Sequence, residues 1–238
     1  MDTAAPIPPV KPWAPGLPTA PTTPSAVDVW RADLAAIEDG LEDLLSPEER
    51  ARAERIVHER VRILWARSRG VLRALLGNYL DRDPRELRFE LGPHGKPALC
   101  GGTGLGGRKA MERAEVKPRG RWAAERGTAR PVGGLRFNLS HSGEIVLVAV
   151  TAGPEVGVDV EYARGRYTAE FLRAWTRHEA AVKCLGTGLA APPVAVADPS
   201  AGLWTAELDL GPRVAAAVAV AWDKDKLRRW GSAPTLTP

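Results

Sequence analysis

Cysteine is nearly absent from this chain of 238 residues, which contains only Cys100 and Cys184. Two cysteines cannot form a framework of several disulfides or a zinc site with four cysteine ligands. The chain also lacks an uninterrupted run of about 18 apolar residues, the length that a membrane-spanning helix requires. Its N-terminus lacks the basic stretch and the apolar segment of a secretory signal. We therefore expect a soluble, cytoplasmic protein.

A large excess of one charge sign is missing too. Lys and Arg number 33 and Asp and Glu number 29, which gives a formal net charge of +4 at pH 7. That excess is too small by itself to indicate a nucleic-acid-binding protein. The hydrophobic share of 44% is ordinary for a globular chain. Glycine and proline, by contrast, are abundant, with 24 and 21 residues, and they are concentrated in two segments.

These two segments divide the chain. Eight prolines lie within residues 1–24, and because proline fixes φ and lacks an N–H donor, this leader is predicted to be disordered. Residues 101–134 hold nine glycines, eight Lys or Arg and three Glu, a net charge of +5, and we expect a flexible basic loop. Its GTGLGG stretch matches GxGxxG, but the poor strand before it disfavours a dinucleotide site. An N-terminal half at 25–100 and a C-terminal half at 135–238 remain.

Both halves show patterns of regular secondary structure. Ser46, Pro47 and Glu49 are typical of a helix start with a capping box, and apolar residues then recur at helical spacing to about Leu80. One long helix or two joined helices are predicted there. The predicted elements of the C-terminal half are strands at 145–150 and 156–161, a helix at 169–185 that ends at Gly186, and strands at 203–210 and 214–222. The first two of these strands are predicted to pair as a hairpin.

Two acidic residues, Asp159 and Glu161, alternate with valines in the second of these strands. Residues two apart in a strand point to the same face, so both carboxylates are expected to project together while Val158 and Val160 face the core. A hard cation such as Mg²⁺ would offset the repulsion between the carboxylates. A solvated strand face is the alternative explanation of so short a pattern.

The predicted helix at 169–185 carries a second candidate pair, Glu179 and Lys183. The two residues are four apart and therefore share a helix face. Thr176 and Glu179 also fit a capping box, which leaves a structural role for Glu179 open. A zinc-protease HExxH site is excluded, because Val182 stands where the second histidine would be.

Two further segments combine turn residues with polar side chains. In FNLSHSG, at 137–143, Asn138 occupies a position that the serine-hydrolase pattern GxSxG reserves for glycine. His141, a lone histidine among hydroxyls, also fits a structural hydrogen-bonding role. The segment GPHGKP, at 92–97, is rich in turn residues and presents Lys96 at a loop tip.

In this order, GPHGKP, FNLSHSG, GVDVE and WTRHEAAVKCLGTGL resemble the motifs of the 4'-phosphopantetheinyl transferases of the Sfp type. The match covers roughly Ser46 to Ala221, and the three later motifs are highly specific. The resemblance implies an α+β fold (often filed as α/β) of two pseudo-symmetric halves, each with a small antiparallel sheet and a long helix. It also implies an enzyme that moves the 4'-phosphopantetheine arm of coenzyme A onto a serine of an apo acyl or peptidyl carrier protein. Such carriers serve fatty acid, polyketide or non-ribosomal peptide biosynthesis, and 3',5'-ADP is released.

The resemblance also implies a role for each motif residue. Asp159, Glu161 and Glu179 would be the ligands of a required Mg²⁺. Glu179 would in addition take the proton of the acceptor serine, and Lys183 would neutralise the pyrophosphate. The residues implied in binding the coenzyme are Lys96, Ser140, His141, Arg50 and Arg52.

Three features depart from the family pattern. His178 stands where the family usually has lysine, thirteen residues separate Glu161 from Trp175 where the family commonly has more, and segment 101–134 is unusually long. The shortened stretch leaves open a degenerate member that binds coenzyme A with weak or no transfer. A less favoured alternative is a basic nucleic-acid-binding protein that uses 101–134, but it leaves the three carboxylates unexplained. We expect a monomer that binds neither nucleic acid nor membranes.

Overall fold

The computed structural model describes residues 10–14, 27–37, 40–92, 94–100, 134–163, 165, 167–188 and 202–221. The basic loop except its last residue, most of the proline-rich leader and the tail after residue 221 lie outside these ranges. Among the described residues, no helix has both the length and the apolar character needed to cross a membrane.

The described part of the chain contains three α-helices and nine β-strands. The helices are α1 (Pro47–Glu54), α2 (Glu59–Leu80) and α3 (Ala169–Leu185). The strands are β1 (Val10–Pro12), β2 (Val27–Asp33), β3 (Phe89–Leu91), β4 (Pro97–Leu99), β5 (Leu135–Ser142), β6 (Ile145–Ala152), β7 (Glu155–Tyr162), β8 (Leu203–Glu207) and β9 (Val214–Ala221). Helices packed on small, mostly antiparallel sheets confirm the predicted α+β class.

The strands form two main sheets. The first has the order β1-β2-β6-β5 and the second the order β7-β9-β8, while β3 and β4 form a separate pair. All ladders are antiparallel except that of β1 with β2. The predicted hairpin between 145–150 and 156–161 is wrong. Both edges of β6 are occupied, by β2 and β5, so β7 crosses to the second sheet and pairs with β9.

The two sheets and two helices are stacked in four layers. Helix α2 packs on one face of the first sheet, where Leu72 and Leu76 meet alternate residues of β6 such as Val148. The other face of that sheet packs on the second sheet, and α3 covers the remaining face of the second sheet. The alternation of strand side chains accounts for this arrangement, because successive residues of β2, β6 and β9 enter different cores.

The predicted capping box at Ser46 is confirmed. Its hydroxyl accepts a hydrogen bond from the amide of Glu49, and the Glu49 carboxylate accepts one from the amide of Ser46. The chain forms two helices here rather than one. The same carboxylate binds Arg69 at 2.8 Å and the buried Arg73 at 2.5 Å. These two arginines of α2 therefore join α1 to α2.

Five residues of the proline-rich leader, 10–14, are described. The predicted disorder does not hold for these five residues, which are ordered. Strand β1 adds to the edge of β2, and Trp13 is buried in the core beneath it. The ammonium of Lys11 lies 2.7 Å from a carboxylate oxygen of the buried Asp28. Burial of the apolar indole and formation of this ion pair offset the entropic cost of ordering the backbone here.

The first sheet combines strands from both sides of segment 101–134. Strands β1 and β2 come before that segment, and β5 and β6 come after it. The proposed division of the chain into a leader, two halves and a connecting loop stays a prediction.

Candidate active site

The motif strands β5 and β7 lie side by side at the junction of the two sheets, and polar side chains connect them. The side-chain oxygen of Asn138 accepts a hydrogen bond of 2.9 Å from the amide of Val158. The hydroxyl of Ser142 accepts one of 3.2 Å from the amide of Tyr162. These contacts hold FNLSHSG against GVDVE, although no β-ladder joins the two strands.

Asp159 is the most buried acidic residue of the motifs, with 3% of its surface exposed. One carboxylate oxygen, Oδ1, accepts hydrogen bonds from Ser140 Oγ at 2.8 Å and from Lys183 Nζ at 2.5 Å. The Lys183 ammonium also lies 3.1 Å from Ser140 Oγ. The other oxygen, Oδ2, is buried and has no hydrogen-bond partner among the described residues.

Glu161 lies two residues along the same strand. Its Oε2 accepts a 3.0 Å hydrogen bond from Ser142 Oγ, and the residue is only partly buried. Val158 and Val160 enter the core between the two sheets. The predicted alternation of valines and carboxylates is therefore confirmed.

Helix α3 brings Glu179 and Lys183 to the same place. The helix begins at Ala169 after the N-cap Thr168, so Thr176 and Glu179 are interior residues and the capping-box alternative is wrong. Burial raises the pKa of Glu179, and the neighbouring Asp159 and Glu161 carboxylates add to the increase, while the Lys183 ammonium opposes it. Its Oε1 is buried and unpaired within the described residues. Glu179 is therefore held where a proton or a cation is favoured.

The carboxylates at this place have the chemistry of Mg²⁺ ligands. The described residues contain no cluster of three or more His, Cys, Asp or Glu side chains arranged to hold a metal. Mg²⁺ is commonly bound by one or two carboxylates, with waters and substrate phosphates as its other ligands. The two buried, unpaired oxygens Asp159 Oδ2 and Glu179 Oε1 fit that requirement, whereas Glu161 is engaged by Ser142.

Two cavities adjoin these residues. One, of about 250 Å³, is lined by residues 94–97 of the GPHGKP segment and by Asn138, Glu179 and Lys183 among others. The other, of about 680 Å³, is lined by His141 with Arg60 and Arg213 among other residues. The structure thus brings Lys96, Glu179 and Lys183 around one cavity and places His141 at the other.

Arg50 and Arg52 lie elsewhere, and neither lines these two cavities. The Arg50 guanidinium donates to the backbone oxygens of Leu45 and Asp43. The Arg52 guanidinium lies 5.4 Å from the centre of the Trp65 ring. Their implied part in coenzyme binding stays a prediction.

An aromatic row lies at the start of α3. Tyr167 stacks on Phe171 and Phe171 stacks on Trp175, with ring centres 4.8 and 6.3 Å apart. All three side chains are exposed. His178, in the position where the family usually has lysine, has a buried Nδ1 without a hydrogen-bond partner in the described ranges.

The sequence alone assigns no place in this region to three residues, Asn138, Arg60 and Arg213. In the sequence, Asn138 only argues against a hydrolase pattern, whereas in the structure its side-chain oxygen joins β5 to β7. Arg60 and Arg213 are 153 positions apart in the sequence, and nothing in their local sequence indicates that both line the larger cavity. The FNLSHSG motif itself was the only available signal for Asn138.

Comparison with known proteins adds two relatives. No protein-family model matches the chain. In an alignment of 193 positions, it is 31% identical to the 4'-phosphopantetheinyl transferase HetI of Nostoc sp. (strain PCC 7120 / SAG 25.82 / UTEX 2576), and the alignment covers 69% of this chain and 70% of HetI. In an alignment of 176 positions, it is 28% identical to the putative 4'-phosphopantetheinyl transferase slr0495 of Synechocystis sp. (strain ATCC 27184 / PCC 6803 / Kazusa), and the alignment covers 63% of this chain and 60% of that protein.

Proposed function

Because the chain belongs to the 4'-phosphopantetheinyl transferase family, we propose that it transfers the 4'-phosphopantetheine arm of coenzyme A to a serine of an apo acyl or peptidyl carrier protein. The observation that carries the proposal is the cluster of Asp159, Lys183 and Glu179, in which a partly buried ion pair lies beside two unpaired carboxylate oxygens. Such a cluster suits a reaction that handles a pyrophosphate and a proton at one place. The products would be a holo carrier protein and 3',5'-ADP.

Catalysis of this type depends mainly on positioning and on electrostatic stabilisation of phosphate oxygens. Asp159 and Glu179 would hold Mg²⁺, with Glu161 as the third candidate ligand. When bound, the ion would neutralise charge on the pyrophosphate. Lys183 already lies 2.5 Å from Asp159 and would place a second positive charge beside the same phosphates.

Glu179 is the candidate base for the acceptor serine. A raised pKa brings a carboxylate closer to the basicity that proton abstraction requires. Ser140 and His141, on the adjoining strand, are the candidate contacts for the nucleotide phosphates. Protein atoms around His141 desolvate its imidazolium and, together with Lys183, lower the pKa of His141. A phosphate ligand would oppose that effect.

The decisive experiment measures the carrier protein directly. The protein is incubated with coenzyme A, Mg²⁺ and an apo carrier protein, and the carrier is weighed by mass spectrometry. We expect a gain of one phosphopantetheine arm with the wild type and none with Asp159→Asn. Failure to modify any of several carriers while coenzyme A still binds would favour a degenerate member. Absence of coenzyme A binding would refute both functions.

Asp28→Asn is the matched control for this variant. Asp28 is also a buried aspartate paired with a lysine, with 6% exposure against 3% for Asp159. It lies on β2, in the first sheet, and lines neither cavity. Both variants therefore lose a similar ion pair, and only Asp159→Asn should abolish transfer. The monomeric state and the cytoplasmic location stay predictions.

A further inference from the structure

The side chain of Lys96 is fully engaged inside the protein. Its ammonium lies 2.8 Å from Glu155 Oε2, 3.2 Å from the backbone oxygen of Val156 and 3.0 Å from the backbone oxygen of Cys184. A lysine ammonium has three N–H donors, and these three acceptors match that number. The side chain is only 19% exposed. The donors that a phosphate of coenzyme A would require are thus already in use.

The acceptors belong to two elements that form the candidate active site. Cys184 lies in the last turn of α3, where backbone oxygens lack helical partners and where a positive charge is favoured by the helix dipole. Glu155 and Val156 begin β7, the strand of Asp159. Lys96 therefore connects the GPHGKP loop to the end of α3 and to the start of β7.

Glu155 and Cys184, two of the residues that accept hydrogen bonds from Lys96, make further hydrogen bonds. Glu155 uses its other carboxylate oxygen to accept a 2.8 Å hydrogen bond from Arg136 of β5. The thiol of Cys184 donates to the backbone oxygen of Glu155 at 3.2 Å. Each end of the Lys96 contact thus has a second bond.

We propose that Lys96 is a positioning residue that fixes the last turn of α3 on β7 and so keeps the ammonium of Lys183 beside Asp159. Lys183 precedes Cys184, whose backbone oxygen Lys96 binds. A shift of this turn would therefore move the Lys183 ammonium from its 2.5 Å contact with Asp159. This role rests on the proposed function, and it differs from the coenzyme contact that the family resemblance implies for the same side chain.

The test compares Lys96→Met with the wild type by three measurements. Hydrogen exchange of the amides at 182–186 should accelerate roughly tenfold, because the hydrogen bond from a charged donor to the last turn is lost. The kcat for transfer should fall by between about tenfold and 100-fold, as expected when a catalytic group is displaced by around 1 Å. The Kd for coenzyme A, measured by calorimetry, should change less than about threefold.

Two further variants make the result specific. Lys11→Met removes a lysine–aspartate pair from the first sheet, and it should leave the exchange at 182–186 and the kcat unchanged. Lys96→Arg keeps a positive charge with several donors, and it should recover part of the lost kcat. Glu155→Gln keeps the two backbone acceptors and should give an intermediate exchange rate, which tests the contact if Lys96→Met fails to fold.

A coenzyme contact would give the opposite pattern. If Lys96→Met weakens coenzyme A binding tenfold or more while exchange at 182–186 and kcat stay at wild-type values, the positioning role is wrong. Wild-type behaviour of Lys96→Met in all three measurements would overturn it equally. If the wild type transfers nothing, the proposed function fails, but hydrogen exchange still decides whether Lys96 holds α3.

Discussion

Gly157, the glycine of GVDVE, allows α3 to approach β7 more closely than any other residue would. A Cβ atom added there would lie 2.0 Å from the backbone oxygen of Ala180 and 2.4 Å from the backbone nitrogen of Cys184. Both are backbone atoms of α3, so no side-chain rotation can relieve the contact. In Gly157→Ala the helix must move until the 2.0 Å separation approaches the 3.4 Å at which ordinary van der Waals contact begins.

The size of the effect follows from that displacement. Overpacking of a well-packed core costs about 1–3 kcal/mol, and we expect about 3 kcal/mol because backbone atoms are the obstacle. For a protein of this length, 1 kcal/mol lowers Tm by about 2–4 °C, so Tm should fall by about 6–12 °C. A movement of about 1 Å at Glu179 and Lys183 should also reduce the transfer rate roughly a hundredfold.

Gly70→Ala separates instability from misplacement of the active site. A Cβ at Gly70, in α2, would lie 2.6 Å from the backbone oxygen of Leu41 and 2.7 Å from its Cβ. This variant should also lower Tm, with a small offset because alanine favours helix. Its transfer rate per folded molecule should remain that of the wild type. An unchanged Tm and rate in Gly157→Ala, or an equal loss of rate in both variants, would refute the reasoning.

Three further predictions concern other buried groups. Burial raises the pKa of the Cys184 thiol to about 12, whereas Cys100 is exposed. An aromatic disulfide reagent at about pH 8 should therefore modify one thiol in the folded protein, two in urea and none in folded Cys100→Ser. Burial alone would raise the pKa of Glu49, but the Ser46 amide and the Arg69 and Arg73 guanidiniums lower it below the usual 4.5. The resulting stabilisation is present above the unfolded-state pKa and is lost as pH falls through the folded-state pKa. When urea unfolding is measured from about pH 6 to about pH 3, the unfolding free energy of the wild type should therefore decrease more steeply than that of Glu49→Gln. An equal slope would contradict this. Trp13→Ala should lose about 3–5 kcal/mol of unfolding free energy. Val57→Ala, at a 91% exposed position, should change it by less than about 0.5 kcal/mol, and equal losses would show that β1 does not contribute to the fold.

The features that could be predicted from the sequence are those that depend on neighbouring residues. Helix α3 begins and ends as predicted, at Ala169 and Leu185. Its end is a local feature, because Gly186 adopts the left-handed conformation that ends a helix. The capping box at Ser46 is equally local, since both of its hydrogen bonds join residues three apart.

Strand pairing could not be predicted in the same way. The 145–150 and 156–161 segments have the pattern of a hairpin, but β6 has two other partners, and one of them, β2, lies more than 100 residues earlier in the chain. Which edge of a strand is free depends on the whole sheet. The contacts of Lys96 are of the same kind, because its acceptors lie 59 to 88 residues away in sequence.

The candidate site lies between these two cases, because two local patterns must match across space. Ser140 and Ser142 alternate along β5 as Asp159 and Glu161 alternate along β7, and each serine hydroxyl donates to one carboxylate. In each pair the serine and the carboxylate are 19 residues apart in sequence. A step of two residues along β5 therefore corresponds to a step of two residues along β7. A slip of one residue would turn either pair to the opposite face. Each pattern therefore constrains the other. The hydroxyls of SHS and the carboxylates of DVE must alternate in step, because they pair with each other where the two sheets meet. These hydrogen bonds join strands of two sheets that share no ladder.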